Sequence, residues 1–209
     1  MRNSKILEML NNGRIYDLKA ALQDEIYQES LKGKPTAKKR YASMKKYLNT
    51  CSQSREILAK PCMINFQGTE YASFCNAFSL ALTKESCGEI AMCEEPDRYP
   101  KVDNLVKFNG EEDTIDFTRV MAKAKSKGYK YTKSMINSND YLMFHEGAYY
   151  RIGLIDVTFG IIDEGEPVTI FHEKGARRPI TIINDIGIAV VMPVTYESAP
   201  DDNVVVIEA

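Results

Sequence analysis

The chain lacks any apolar run approaching the ~20 residues that cross a bilayer as a helix, so no membrane span of that kind is expected. It has no GxxxxGK followed by Ser or Thr and no GxGxxG, so nucleotide binding through either phosphate loop is unsupported. A GxSxG nucleophile elbow is missing too. Only two histidines, His145 and His172, offer bases near neutral pH. The five cysteines (Cys51, Cys62, Cys75, Cys87 and Cys93) form no CxxC pair, and no histidine lies near them in sequence. Zinc sites and disulfide frameworks have tighter spacings, so these thiols read as small apolar residues. The opening MRNSKILEML turns polar at once and does not resemble a signal peptide, so a cytoplasmic location is expected.

What is present is the material of a globular domain. The chain has 209 residues, 44% of them hydrophobic and 27% charged. That length suits one domain, or one domain with an extension. The net charge of -2 hides an asymmetry. Residues 1–60 carry 13 Lys and Arg against 6 Asp and Glu, whereas the remainder carries 14 against 23. The front of the chain is therefore suited to face a polyanion while the body stays acidic.

Two short helices are expected first, with Ile6, Leu7 and Leu10, then Leu18, Ala21, Leu22 and Ile26, at helical spacing on either side of Asn12-Gly13. A third helix follows Gly33 and Pro35, with Thr36 as its expected N-cap and Tyr41, Met44, Tyr47 and Leu48 on one face. From Lys32 to Lys46 there are seven basic residues and no acidic one. The pattern then turns to strands: CMINFQG and YASFCNAFSLALT, joined by a Gly68-Thr69-Glu70 turn, suggest a hairpin. DTIDFTRVMAKAKSKGY reads as a helix through Ile115, Phe117, Val120, Met121 and Ala124, with Gly128 as its stop. Arg119 to Lys133 contains six basic residues and no acidic one.

YLMF reads as a short strand. AYYRIGLIDVTFGII has the length of one short helix, although Gly153 and Gly160 weaken that reading. Three strands close the pattern in EPVTIFHEKG, RRPITIIND and IGIAVVMPV, with turns at Lys174-Gly175 and Asn184-Asp185. These divisions suggest an N-terminal helical extension over 1–36, an α+β domain over 37–196 and a C-terminal tail over 197–209.

No converging catalytic set is evident. The carboxylates of Glu94, Glu95 and Asp97, of Glu111, Glu112 and Asp113, and of Asp163, Glu164 and Glu166 read as solubilising turn residues. His145 and His172 read as structural or surface residues at strand ends. The chain is therefore expected to be a non-enzyme without cofactor or metal, and to act by binding.

The order of the pieces resembles a domain of the DNA sliding clamps, as in the bacterial polymerase III beta subunit and in clamp-like proteins of phages and mobile elements. The segment Cys75-Asn76-Ala77-Phe78-Ser79-Leu80-Ala81 is similar to the family's AxDGHRLA pattern, with Ala77 and Phe78 at its Gly and His. Arg98-Tyr99-Pro100-Lys101 looks like its RFPD turn, and Val191-Met192-Pro193-Val194 like its VMPM or IMPV ending. The resemblance covers residues 38–196 and is densest over 147–194. It implies a DNA-clamp-like fold, an antiparallel sheet with helices on one face. It also implies duplex DNA as a sequence-independent partner, DNA polymerase or other replication proteins as further partners, and a homo-oligomer.

Lys38, Lys39, Arg40, Lys45 and Lys46 on one helix, with Lys123, Lys125, Lys127 and Lys130, are the residues expected to touch DNA phosphates. The alternative is a protein-interaction adaptor of phage or mobile-element origin that keeps the fold without encircling DNA. Such an adaptor would dock through the N-terminal helices or through edge-strand addition by VVVIEA.

Overall fold

Asn12 and Gly13 do break the N-terminal helical pattern, into α1 (Asn3–Asn11) and α2 (Ile15–Ser30), with Gly13 in the left-handed region. A computed structural model describes residues 3–50, 56–136, 138–175, 177–194 and 205–208. Helix α3 (Pro35–Leu48) starts one residue before the expected cap. Pro35 occupies the first turn and Lys34 the cap position, because the proline ring presets helical φ where an N–H is not needed. Cys51 and the remainder of the 51–55 stretch lie outside the described residues.

Strands β1 (Cys62–Phe66) and β2 (Thr69–Cys75) form the expected hairpin, and β3 (Ser79–Thr83) continues it. The first turn sits at Gln67-Gly68, both with positive φ, so Thr69 and Glu70 belong to the strand. The second turn places Ala77 at φ 73, in the left-handed region that favours glycine. Asn76 holds this turn: its Oδ1 accepts from the N–H groups of Phe78 and Ser79 at 3.1 and 2.9 Å.

The expected helix over 113–129 is shorter than its sequence pattern. Glu111–Ile115 forms strand β4, and α4 runs over Phe117–Ser126 with Asp116 as its cap, accepting from the Arg119 N–H at 3.0 Å. The alternation that puts Ile115 inward also suits a strand, and the Asx cap decides where the helix begins. Glu111, Glu112 and Asp113 are therefore strand residues and not turn residues.

Strands β5 (Tyr141–His145) and β6 (Ala148–Arg151) come next, then α5 (Ile152–Phe159). The apolar segment read as a single helix thus begins with a four-residue strand, and the helix takes up eight residues after it. The chain ends its core with β7 (Val168–His172), β8 (Ile180–Ile183) and β9 (Gly187–Val191), the three strands expected there. Asn184 makes the last turn, its Oδ1 accepting from the N–H groups of Ile186 and Gly187. Residues 205–208, read as tail, form β10 (Val205–Glu208).

The strands make a seven-stranded antiparallel sheet in the order β1-β2-β3-β9-β8-β7-β4, and a three-stranded sheet in the order β10-β5-β6. The fold is therefore α+β. One face of the large sheet, with Phe74, Ala81, Ala189, Ile182 and Ile170, packs on Tyr47, Phe117, Ile155 and their neighbours from α3, α4 and α5. The other face, with Tyr71, Leu80, Leu82 and Val190, is covered by Leu58 and by Tyr99, Val102 and Val106. Burial on both faces explains why β9 is apolar at every position, GIAVV. Pro193 then stands just past the strand, where no ladder N–H is required.

β10 pairs in parallel with β5 and buries Ile207, so Val205–Glu208 of the VVVIEA segment adds a strand to its own chain. Residues 195–204, between it and the core, lie outside the described residues.

Candidate functional site

The nine cations expected to contact phosphate fall into two environments. On α3, most are engaged within the molecule. Lys39 pairs with the buried Asp163. Arg40 is only 8% exposed, with its guanidinium 3.3 Å from Glu85 and donating to the Asp163 carbonyl at 3.4 Å. Lys45 donates to Asp24 at 2.7 Å, and Lys46 lies over the Tyr131 ring, 4.8 Å from its centroid. Lys38 is exposed. This follows from α3 being a core helix: Tyr41, Met44 and Tyr47 face inward, so cations on its flanks meet Asp163 and Glu85 in loops of the body and Asp24 on α2.

Lys123, Lys125 and Lys127 at the end of α4, and Lys130 after it, are exposed. Among the described residues none of these four ammonium groups lies within ion-pair distance of a carboxylate. The basic side chains also suit the negative end of the α4 dipole. Both helices pack on α5, and Tyr131 carries the chain leaving α4 to Lys46 on α3, where its hydroxyl donates to the Lys46 carbonyl at 3.5 Å. Tyr131, the neighbour of Lys130 in sequence, is thus the contact between the second basic stretch and Lys46 of the first.

A second constellation was not legible as such. His145 closes β5 and His172 closes β7, and the two rings meet edge to face with centroids 4.6 Å apart. They are 8% and 4% exposed. Asp113 joins them: one ligand-type atom from each of the three residues lies within 4.8 Å of those of the other two. The sheet register explains the aspartate. Phe74, Ala81, Ala189, Ile182 and Ile170 form one cross-strand row on the helix-covered face, and Asp113 on the edge strand continues that row. An inward-facing acid at an edge also discourages pairing with another sheet.

His145 Nε2 and His172 Nδ1 are buried and have no hydrogen-bond partner among the described residues. Each such nitrogen costs about 1–3 kcal/mol when left unsatisfied. Burial first, and then the neighbouring His172, hold His145 below the ordinary histidine pKa, while Asp113 and Glu146 act in the opposite direction. Beside His145 a cleft of about 520 Å³ opens, walled by Asp113, Asp116, Arg119, Lys123 and Glu208.

One sequence cue was available. His172 follows Val168 and Ile170 at period two, which puts it on the inward face. Its meeting with His145, from a different sheet, has no sequence signal.

On the other side of the molecule, an apolar cleft of about 240 Å³ is lined by Leu58, Leu80, Pro100, Leu105, Val190 and Met192. Among the described residues no helix is long and apolar enough to cross a membrane. The chain matches no protein-family model, no curated protein and no solved structure.

Proposed function

We propose that this chain is a non-enzymatic DNA-associated protein with a clamp-like domain, a processivity-type factor that holds duplex DNA through its phosphates. The reading is supported by the end of α4, where Lys123, Lys125, Lys127 and Lys130 stand exposed without carboxylate partners among the described residues. A polyanion gains most from cations that are not already paired, because each neutralised phosphate releases condensed counterions. Such contacts carry no base information, which suits a protein that slides. Within this proposal the contact surface moves from α3 to α4, with Lys38 and Lys46 at its margin, since Lys39, Arg40 and Lys45 already serve the fold.

The test is fluorescence anisotropy with a 30-base-pair duplex across a salt series. The logarithm of affinity is expected to fall linearly with that of salt concentration. Replacing all four lysines of the α4 strip with Gln is expected to flatten the slope by up to about 3–4, near 0.9 per lost phosphate contact. Affinity indifferent to salt, or undiminished in the quadruple variant, removes the proposal.

The alternative reading, an adaptor that docks a short apolar segment of a replication protein, draws on the 240 Å³ cleft with exposed Met192 and Leu105 at its rim. Light scattering separates the two. A clamp that encircles DNA is expected as a closed oligomer, and an adaptor as a monomer or dimer.

A further inference from the structure

We propose that Asp113, His145 and His172 bind one divalent transition-metal ion of the zinc type, with a coordination position open towards the cleft beside His145. Four observations carry this. The three residues present two imidazoles and one carboxylate, a ligand set that suits zinc and its first-row neighbours, with room left for water or another ligand. The imidazoles are nine-tenths buried, yet His145 Nε2 and His172 Nδ1 have no hydrogen-bond partner among the described residues. A buried imidazole is ordinarily satisfied by a donor or an acceptor, and two unsatisfied rings in edge contact at 4.6 Å are explained by a shared ligand. Finally, the three come from β4, β5 and β7, in two different sheets, so they converge only in the folded chain.

The geometry is open by a modest amount. Ligand atoms about 2.1 Å from a tetrahedral zinc stand about 3.4 Å from one another. The present separations lie within 4.8 Å, and a rotamer change at Asp113, exposed on an edge strand, brings its carboxylate towards the imidazoles in exchange for the hydrogen bond its Oδ1 accepts from the Thr114 N–H at 2.7 Å. The histidines, packed in the core, are the fixed part of the site. A metal at this point joins the two sheets across the end of the core. The cleft side of the ion carries both signs, Arg119 and Lys123 against Asp116 and Glu208, and leaves room for a water as the fourth ligand.

The experiment titrates chelator-stripped full-length protein with zinc chloride by calorimetry. In parallel, cobalt(II) is added and its visible absorption recorded. The expected result is one ion per chain, a rise in thermal midpoint with zinc, and a cobalt spectrum of a four- or five-coordinate site. Asp113→Asn, at an exposed position that does not threaten folding, is expected to weaken zinc at least about tenfold and to change the cobalt spectrum. His172→Asn is expected to abolish the binding, with circular dichroism confirming that the variant is folded. If that variant does not fold, the Asp113→Asn result decides alone. No stoichiometric binding to the wild-type chain, or binding that Asp113→Asn leaves unchanged in affinity and in spectrum, overturns the proposal.

Discussion

Gly153→Ala sets two effects of opposite sign against each other. Helix propensity favours alanine over glycine by about 1 kcal/mol in a helix interior, and somewhat less here because Gly153 is the second residue of α5. Packing opposes it. An added Cβ would stand 2.3 Å from the Met135 carbonyl oxygen, 2.7 Å from its carbon and 2.8 Å from Ile136 Cα, whereas ordinary contact begins at 3.4 Å. All three are backbone atoms, so no side chain can swing away. α5 or the 133–136 turn must shift by about 1 Å, and forcing atoms into a packed core costs about 1–3 kcal/mol, more when backbone has to move. α5 touches both sheets as well as α3 and α4, so a shift there is felt widely. The net expectation is a loss of about 1–3 kcal/mol. In urea titration followed by circular dichroism, that is a midpoint lowered by about 0.5–1 M at unchanged slope. A midpoint equal to or above that of the wild type would refute the reasoning, by showing that the close approach yields at little cost.

Ala77→Gly tests the turn between β2 and β3. Removing a Cβ at φ 73 relieves about 1 kcal/mol of left-handed strain, while the freer unfolded chain takes back about half, so a small gain in urea midpoint is expected and a clear loss would count against the assignment. Asp24 joins α2 to α3. Burial raises its pKa, but hydrogen bonds from Lys45, Tyr41 and Gln28 outweigh that and leave it below the ordinary value of 3.8. A depressed carboxylate stabilises the fold above its unfolded pKa, and this is lost as pH falls through the folded value. Asp24→Asn is therefore expected to cost about 1–2 kcal/mol at pH 6–7 and progressively less below about pH 4. Urea midpoints measured over that range check it, and a penalty independent of pH would exclude the ionic role.

Much of the fold was written locally. Asn12-Gly13 separates two helices whether or not anything packs on them, because glycine reaches positive φ without penalty. Asn184 can satisfy its own turn with one side-chain oxygen, so the β8–β9 hairpin is visible in seven or eight letters. The apolar run of β9 announces a strand covered on both faces. What misled was a pattern shared by two structures: Ile115 and Phe117 fit a helical spacing as well as a strand followed by a capped helix, and only Asp116 at the cap distinguishes them. Gly153 and Gly160 counted against a helix on propensity alone, yet α5 forms, because a bare backbone at 153 lets the Met135 carbonyl approach.

Composition, period and turn chemistry determined the elements of this protein, since those depend on neighbours within a few residues. The tertiary structure decided which charges remain available. Lys39 and Lys123 look alike in a sequence, but one has a buried aspartate 124 residues away as its partner and the other faces solvent. It also decided that Asp113, His145 and His172 share one point, because register and sheet stacking bring together side chains that no local interaction relates.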